Sequence, residues 1–368
     1  MEEIITALSR FHELFVIARN SSFAYKGHAV DVKQVARDLG VRYVLEGSVR
    51  KFGSRLRIMA QLINASTGTH LWADRFEGGL EDVFELQDRV ATSVAGIIVS
   101  KLERAEIERV RRKPTESPDA YDCYLRGLAN LHQLTRRTTD EALRLFCNAV
   151  ELDPTFASAY ALAATCRARR LMLGHVADRT GQEAEAERLA RRAARLGSND
   201  AMALSAAALA LVYANRDFEV SIALVERALV LNPNLGQAWF ACGSLRLYNG
   251  EPDLAILHYE YAMRLSPFDP FISCMWRGIA IAHLLAGRYD RALSASEHGL
   301  PNRVEDLTVL TAASALAGRM DKARDAMARI RERVPMLSVS TLKVFVPFRR
   351  PENFARWAEG LRLAGLPE

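Results

Sequence analysis

The residues able to carry chemistry are present in this chain, but the sequence does not assemble them. Its eight histidines, His12, His28, His70, His132, His175, His258, His283 and His298, never pair with a carboxylate or a cysteine at ligand spacing. A zinc centre needs several ligands at defined separations, so each histidine reads as a surface or internally satisfied side chain, and no metal or cofactor is expected. Five cysteines (Cys123, Cys147, Cys166, Cys242 and Cys274) stand singly with no C-x-x-C pair. An odd, dispersed set argues for reduced thiols in a cytoplasm and against a disulfide framework. Asp74-Arg75, after Trp72, is the most suggestive polar cluster. Without a positioned third group it reads as a strand-end ion pair and not as a catalytic dyad. Arg188, Arg191, Arg192 and Arg195 follow one surface of a helix without interleaved aromatics, the pattern of a solvated face and not of a phosphate or nucleic-acid seat. The H-E-x-x-H, G-x-x-x-x-G-K-[ST], G-x-S-x-G and G-x-G-x-x-G patterns do not occur.

Charge and hydropathy set wider bounds. The net charge of +5 divides into +3 over residues 1–113 (18 basic, 15 acidic) and +2 over the remainder (31 basic, 29 acidic). A nucleic-acid footprint concentrates charge on one face or tail, so no nucleic-acid partner is expected. No apolar run approaches the roughly 18 residues of a membrane helix. Met1-Glu2-Glu3 opens an amphipathic helix and not the basic start of a signal peptide.

The elements that must position any site show a repeat. Pro154, Pro233, Pro267 and Pro335 each follow a helical segment, and the last three are separated by 34 and 68 residues. Similar phrases precede the first three: Ala149–Pro154, Ala228–Pro233 and Ala262–Pro267. A small residue recurs early in each second helix, at Ala142, Ala186, Ser221, Ala255, Ala292 and Ala323. In the last three units a glycine (Gly250, Gly287, Gly318) stands five residues earlier. Small residues suit close helix approach, glycine suits a left-handed cap, and proline suits the turn after the second helix. Trp239 and Gly243 share one face of a first helix, and Ala255, Tyr259 and Ala262 one face of the second. Trp276, Ala280, Gly287 and Ala292 repeat the arrangement. These residues resemble the tetratricopeptide repeat, and about six units are expected over 114–335, the first two with longer turns, before a C-terminal capping segment and helix over 336–368.

Residues 1–113 have a different texture. Glu2–Phe11 and Val32–Leu39 read as helices, the second ended by Gly40. Leu14–Ala18 reads as a buried strand. Arg42–Lys51 and Arg55–Ile63 read as strands joined at Phe52-Gly53-Ser54, with Leu56, Ile58, Ala60 and Leu62 on one buried face. Thr67-Gly68 turns into a strand over Thr69–Phe76, and Glu81 to about Arg112 is a long helix, acidic early and basic late.

The phrases Ile5-Thr6-Ala7-Leu8-Ser9-Arg10, Tyr43–Arg50 and His70–Arg75 resemble the TolB-N-terminal-like domain. In bacteria that domain often precedes tetratricopeptide repeats in proteins similar to class III adenylate/guanylate cyclases and to winged-helix transcription regulators. The ending Gly360–Glu368 resembles the C-terminus of such proteins. The resemblance implies a small α+β domain, a truncated TolB-like sheet lacking its first strand, followed by an all-α tetratricopeptide solenoid. The missing strand is expected to leave an open edge at Leu14–Ala18. It also implies a non-catalytic cytoplasmic scaffold or regulatory module. The alternatives are the regulatory half of a cyclase, or the sensor half of a winged-helix regulator.

In tetratricopeptide stacks the first helix of each unit lines the concave face. The expected groove residues are Gln237, Phe240, Ser244, Leu247 and Tyr248 in one unit, and Cys274, Arg277, Ile281, Leu284 and Leu285 in the next. Ala203, Ala206, Ala210 and Tyr213 precede them. This set is small and apolar with one arginine, so the expected ligand is an amphipathic protein or peptide helix, or a second copy of the chain. Packing of these residues against their own neighbouring helices is the alternative.

Overall fold

The computed structural model describes residues 2–11, 14–18, 21–22, 24–25, 31–79, 81–112, 119–172, 178–300 and 303–368. His12, His28 and His175 lie outside them. The chain divides into two compact units, Met1–Glu108 and Arg109–Glu368.

In the first unit, α1 (Glu2–Leu8) precedes α2 (Val32–Leu39). Asp31 caps α2 by accepting from the Lys33 N–H, and Gly40 ends it at φ 65°, where a residue with a Cβ would be strained. Strands β1 (Tyr43–Phe52), β2 (Arg55–Asn64) and β3 (Thr69–Gly79) form an antiparallel meander in the order β1-β2-β3. Its first hairpin pairs Phe52 with Arg55 and turns through Gly53 at φ 58°, as the two-residue turn requires. A register shift interrupts the β2–β3 ladder at Leu62/Ile63. Helix α3 (Val83–Arg112) contributes buried Leu86, Val90, Val94 and Ile98, while Ala60, Leu62 and Ile63 supply the buried side of β2. Arg42 and the Tyr43 hydroxyl both donate to Glu106 of α3, at 2.5 and 2.7 Å.

Leu14–Ala18 forms no strand. It joins no ladder, and Phe15 is 87% exposed. A five-residue apolar run signals partial burial, not pairing, and Leu14, Val16 and Ile17 meet that signal by half-burial in an irregular segment. The Asp74 carboxylate accepts from the backbone N–H of Arg75, whose guanidinium pairs at 3.4 Å with Glu77 instead.

The second unit is a tetratricopeptide-type stack. Among the described residues it has six antiparallel helix pairs. They are α4 (Ala120–Leu131) with α5 (Arg136–Leu152), α6 (Ala157–Met172) with α7 (Arg179–Leu196), and α8 (Ala201–Ala214) with α9 (Phe218–Leu231). Then come α10 (Gly236–Asn249) with α11 (Pro252–Leu265), α12 (Ile272–Leu285) with α13 (Tyr289–Ser296), and α14 (Val304–Leu316) with α15 (Met320–Arg333). The small residues Ala142, Ala186, Ser221, Ala255, Ala292 and Ala323 are all fully buried where the helices meet. Gly250, Gly287 and Gly318 adopt φ of 89°, 74° and 74° at the ends of first helices. After α15 come α16 (Val339–Phe345), an extended stretch over 346–350, and α17 (Pro351–Leu363). The backbone N–H of Val339 donates to the Pro367 carbonyl and pins the last turn to α16.

Candidate functional site: the inner face of the repeats

The second helices face solvent, exposing Leu152, Val230, Leu254 and Leu257. Of the basic stripe on α7, Arg188 pairs with Glu185, and Arg191 with Glu187 and Asp217, so this outer face is laced with ion pairs. The first helices carry the inner face, and their side chains meet across it.

The stack winds tightly enough to touch itself. His132, at the end of α4, stands edge-on to Phe271 at the start of α12, with ring centroids 5.6 Å apart. Phe271 in turn stacks on Phe240 of α10 at 6.3 Å. The first and fifth repeats thus meet through an aromatic relay. Next to it the Tyr259 hydroxyl donates to Ser244 Oγ at 3.0 Å, and the Tyr213 and Tyr248 hydroxyls share a hydrogen bond. Burial raises the pKa of all three phenols, so they stay protonated.

Of the sequence-predicted groove residues, Ser244, Leu247, Cys274, Ile281, Leu284 and Leu285 are buried, as are Ala203, Ala206 and Ala210. Gln237, Phe240, Tyr248, Arg277 and Tyr213 are half-buried. What covers the apolar end is the chain's own C-terminal segment. Phe348 packs edge-on against Tyr248 at 5.7 Å, and the Arg349 N–H donates to the Tyr248 carbonyl at 2.9 Å. The Arg349 guanidinium reaches Glu219 at 2.7 Å and Asn249 at 3.2 Å. Helix α17 then crosses the first helices. Arg356 donates to the Leu285 carbonyl, Trp357 Nε1 to the Thr308 carbonyl at 3.3 Å, and Gly360 lies directly on the Ala312 backbone. Leu247, Ile281, Leu284, Phe348, Trp357 and Leu361 belong to one apolar cluster.

Sequence reasoning missed this occupant, because 346–350 has no periodicity and the small face of α17 looks like any capping helix. It also missed a charged cluster beside Arg277. Asp306 Oδ1 is 3.6 Å from Arg277, Arg303 pairs with Glu305 at 2.8 Å, and Arg169 of α6 donates to the Leu134 carbonyl. Burial raises Glu305, but Arg277 and Arg303 outweigh it and push its carboxyl down to about 2. Burial raises Asp306 as well, and there the arginines do not overcome it. No group of three or more potential metal ligands occurs among the described residues.

No protein-family model matches the chain. Over 160 residues it is 48% identical to "Putative adenylate cyclase 3" of Rhizobium meliloti (strain 1021), a match covering 44% of this chain and 27% of that protein. The chain thus spans about a quarter of that curated relative's length. A thermophilic TPR protein of Thermus thermophilus is 20% identical over 54% of this chain and 98% of its own, with a TM-score of 0.40. A tetratricopeptide repeat protein from Parabacteroides merdae is 15% identical over 72% of this chain and 95% of its own, with a TM-score of 0.41. The helix pairs described above carry the repeat assignment by themselves. No helix among the described residues is long and apolar enough to cross a membrane.

Proposed function

We propose that the chain is a non-catalytic protein-binding scaffold of a bacterial signalling protein, acting in the cytoplasm, that takes a partner segment on the inner face of its repeats. The observation that carries this reading is the C-terminal segment, an extended stretch followed by an amphipathic helix, seated against Tyr248, Leu285 and Thr308. A groove that accepts such a segment in cis has the shape, apolar lining and backbone acceptors to accept one in trans. Phe240, Tyr248, Leu247, Ser244, Ile281, Leu284, Gln237 and Arg277 are the proposed contact set, and a helix able to compete with residues 346–363 is the proposed occupant. Five free cysteines support a reducing compartment. The proposed organisation is a TolB-N-terminal-like domain over 1–113, repeats over 114–335 and a capping segment over 336–368.

The Rhizobium meliloti similarity supports a second reading, in which the chain is the regulatory part of a nucleotide cyclase whose catalytic domain it does not contain. One experiment serves both. The chain is titrated into the portion of the Rhizobium meliloti protein outside the matched 160 residues, while binding and cyclic-nucleotide output are followed. Saturable binding lost in the Phe240→Ala, Tyr248→Ala double variant supports the scaffold reading. A change in cyclic-nucleotide rate on binding supports the regulatory one. Turnover of ATP or GTP by the chain alone with Mg²⁺ or Mn²⁺, removed by a point mutation, contradicts the non-catalytic reading.

A further inference from the structure

We propose that the inner face of the stack contains an anion site in which Arg169, Arg277 and Arg303 bind one small oxyanion of the phosphate or carboxylate class. The inference does not depend on partner binding, since an ion would occupy the site with or without a partner.

The three side chains come from the second, fifth and sixth repeats. Asp306, whose backbone N–H bonds to the Arg303 carbonyl, stands 3.6 Å from Arg277, and Arg169 lies within reach of the charges of Arg277, Arg303 and Glu305. Each keeps a buried N–H group with no acceptor: Arg169 Nε, Arg277 Nη1 and Arg303 Nη1. Buried donors are nearly always paired, because nothing returns the hydrogen bond that water gave them. The two carboxylates at hand do not meet the need. Glu305 engages Arg303 through Nη2 only. Asp306 Oδ1 stands 3.6 Å from Arg277 Nη1, beyond hydrogen-bond length, and its Oδ2 has no partner.

The formal charges do not cancel, and the imbalance is uneven: burial lowers Arg277, but Cys274, Asp306 and Glu305 outweigh it and raise its pKa. Three guanidinium groups against two carboxylates leave a formal excess of one positive charge in the interior. Arg169 registers it, its pKa pushed down by burial and by the like charges of Arg303 and Arg277. An oxyanion among them would offer each unpartnered N–H an acceptor and neutralise the excess through charge-assisted bonds, for which the planar guanidinium fork is suited. Access is narrow. The side chains of Arg277 and Arg303 are 13% and 14% exposed, so the ligand is an ion or small molecule and not a folded surface.

The test uses the full chain, with inorganic phosphate and acetate as probes and chloride at equal ionic strength as control, in calorimetric titration and thermal unfolding at neutral pH. Phosphate or acetate is expected to bind saturably and raise the unfolding midpoint, while chloride does not. The better probe tells a tetrahedral from a planar oxyanion. Arg303→Gln is expected to weaken binding by about tenfold, the loss of a charge-assisted bond. The isosteric Asp306→Asn, which removes a competing negative charge, is expected to tighten it. Opposite changes at adjacent residues would not arise from loss of fold, and Asp306→Asn keeps the test open if Arg303→Gln fails to fold. Equal effects of all three salts would overturn the proposal. So would an unchanged affinity in Asp306→Asn, which would mean an adventitious ion only.

Discussion

The ring of Tyr259 on α11 rests on the bare backbone of Gly243 on α10, so closely that a Cβ at 243 would stand 2.9 Å from Cδ1. Gly278 of α12 faces the other side of the same ring. One aromatic side chain thus joins two successive repeats, and the glycines fix how near they come. Gly243→Ala is expected to destabilise the chain by about 1–3 kcal/mol through overpacking, even though alanine is the better helix former. In a Tyr259→Leu background the same substitution should cost nothing, a coupling that urea unfolding of the double-mutant cycle measures. Stabilisation by Gly243→Ala alone would show that the ring moves aside freely.

Arg216 occupies the helix-ending position that Gly250, Gly287 and Gly318 fill in later repeats, and it adopts the same left-handed backbone at φ 58°. That conformation costs an ordinary residue roughly 1–2 kcal/mol. Its side chain contributes little in return, a 3.5 Å contact to the Val346 carbonyl. Arg216→Gly is expected to raise stability by about 0.5–1 kcal/mol, after allowing for the extra freedom of glycine in the unfolded chain. A loss of stability in denaturant unfolding would mean that this contact holds the C-terminal segment more firmly than its length implies.

Asp269 sits in the turn before α12, where its carboxylate accepts the Phe271 N–H at 2.8 Å. Burial raises its pKa from 3.8 to about 6, against the opposing pull of that bond and of Ser266. An acid raised on folding stabilises the native state when protonated. The contribution is present in full below about pH 4 and lost as pH climbs through about 6. About two pKa units set an upper bound near 3 kcal/mol. Asp269→Asn, neutral at every pH, is therefore expected to be more stable than the parent at pH 8, with the difference shrinking towards pH 4. Parallel stability curves for the two proteins over that range would rule the mechanism out.

The legible parts of the fold were local. The repeat period, the small residues at 142, 186, 221, 255, 292 and 323, and the glycine caps each express a packing or backbone constraint within one helix pair. The meander was legible for the same reason, because period-two alternation and a Gly53 turn are read over a few residues. Leu14–Ala18 was misread because an apolar run reports burial without reporting a partner strand. The expected groove residues lie on α8, α10 and α12, and their burial was not legible. It depends on His132 meeting Phe271 and on residues 346–363 returning to α10, α12 and α14. Arg169, Arg277 and Arg303 come from three different repeats and act on one another only through the folded stack, and no spacing in the sequence announces them.

The central claim is that the inner face takes a peptide segment of the kind now seated there in cis. It is tested most directly by weakening the resident segment with Phe348→Ala and Trp357→Ala, which removes two rings from the apolar cluster. A fluorescent peptide of residues 346–368 is then titrated into the full chain, and anisotropy is followed. Saturable binding is expected in this variant and not in the parent, whose groove is filled. It should be lost again when Tyr248→Ala is added, while circular dichroism keeps its helical signal. Failure of the peptide to bind the weakened, still helical chain would contradict the account.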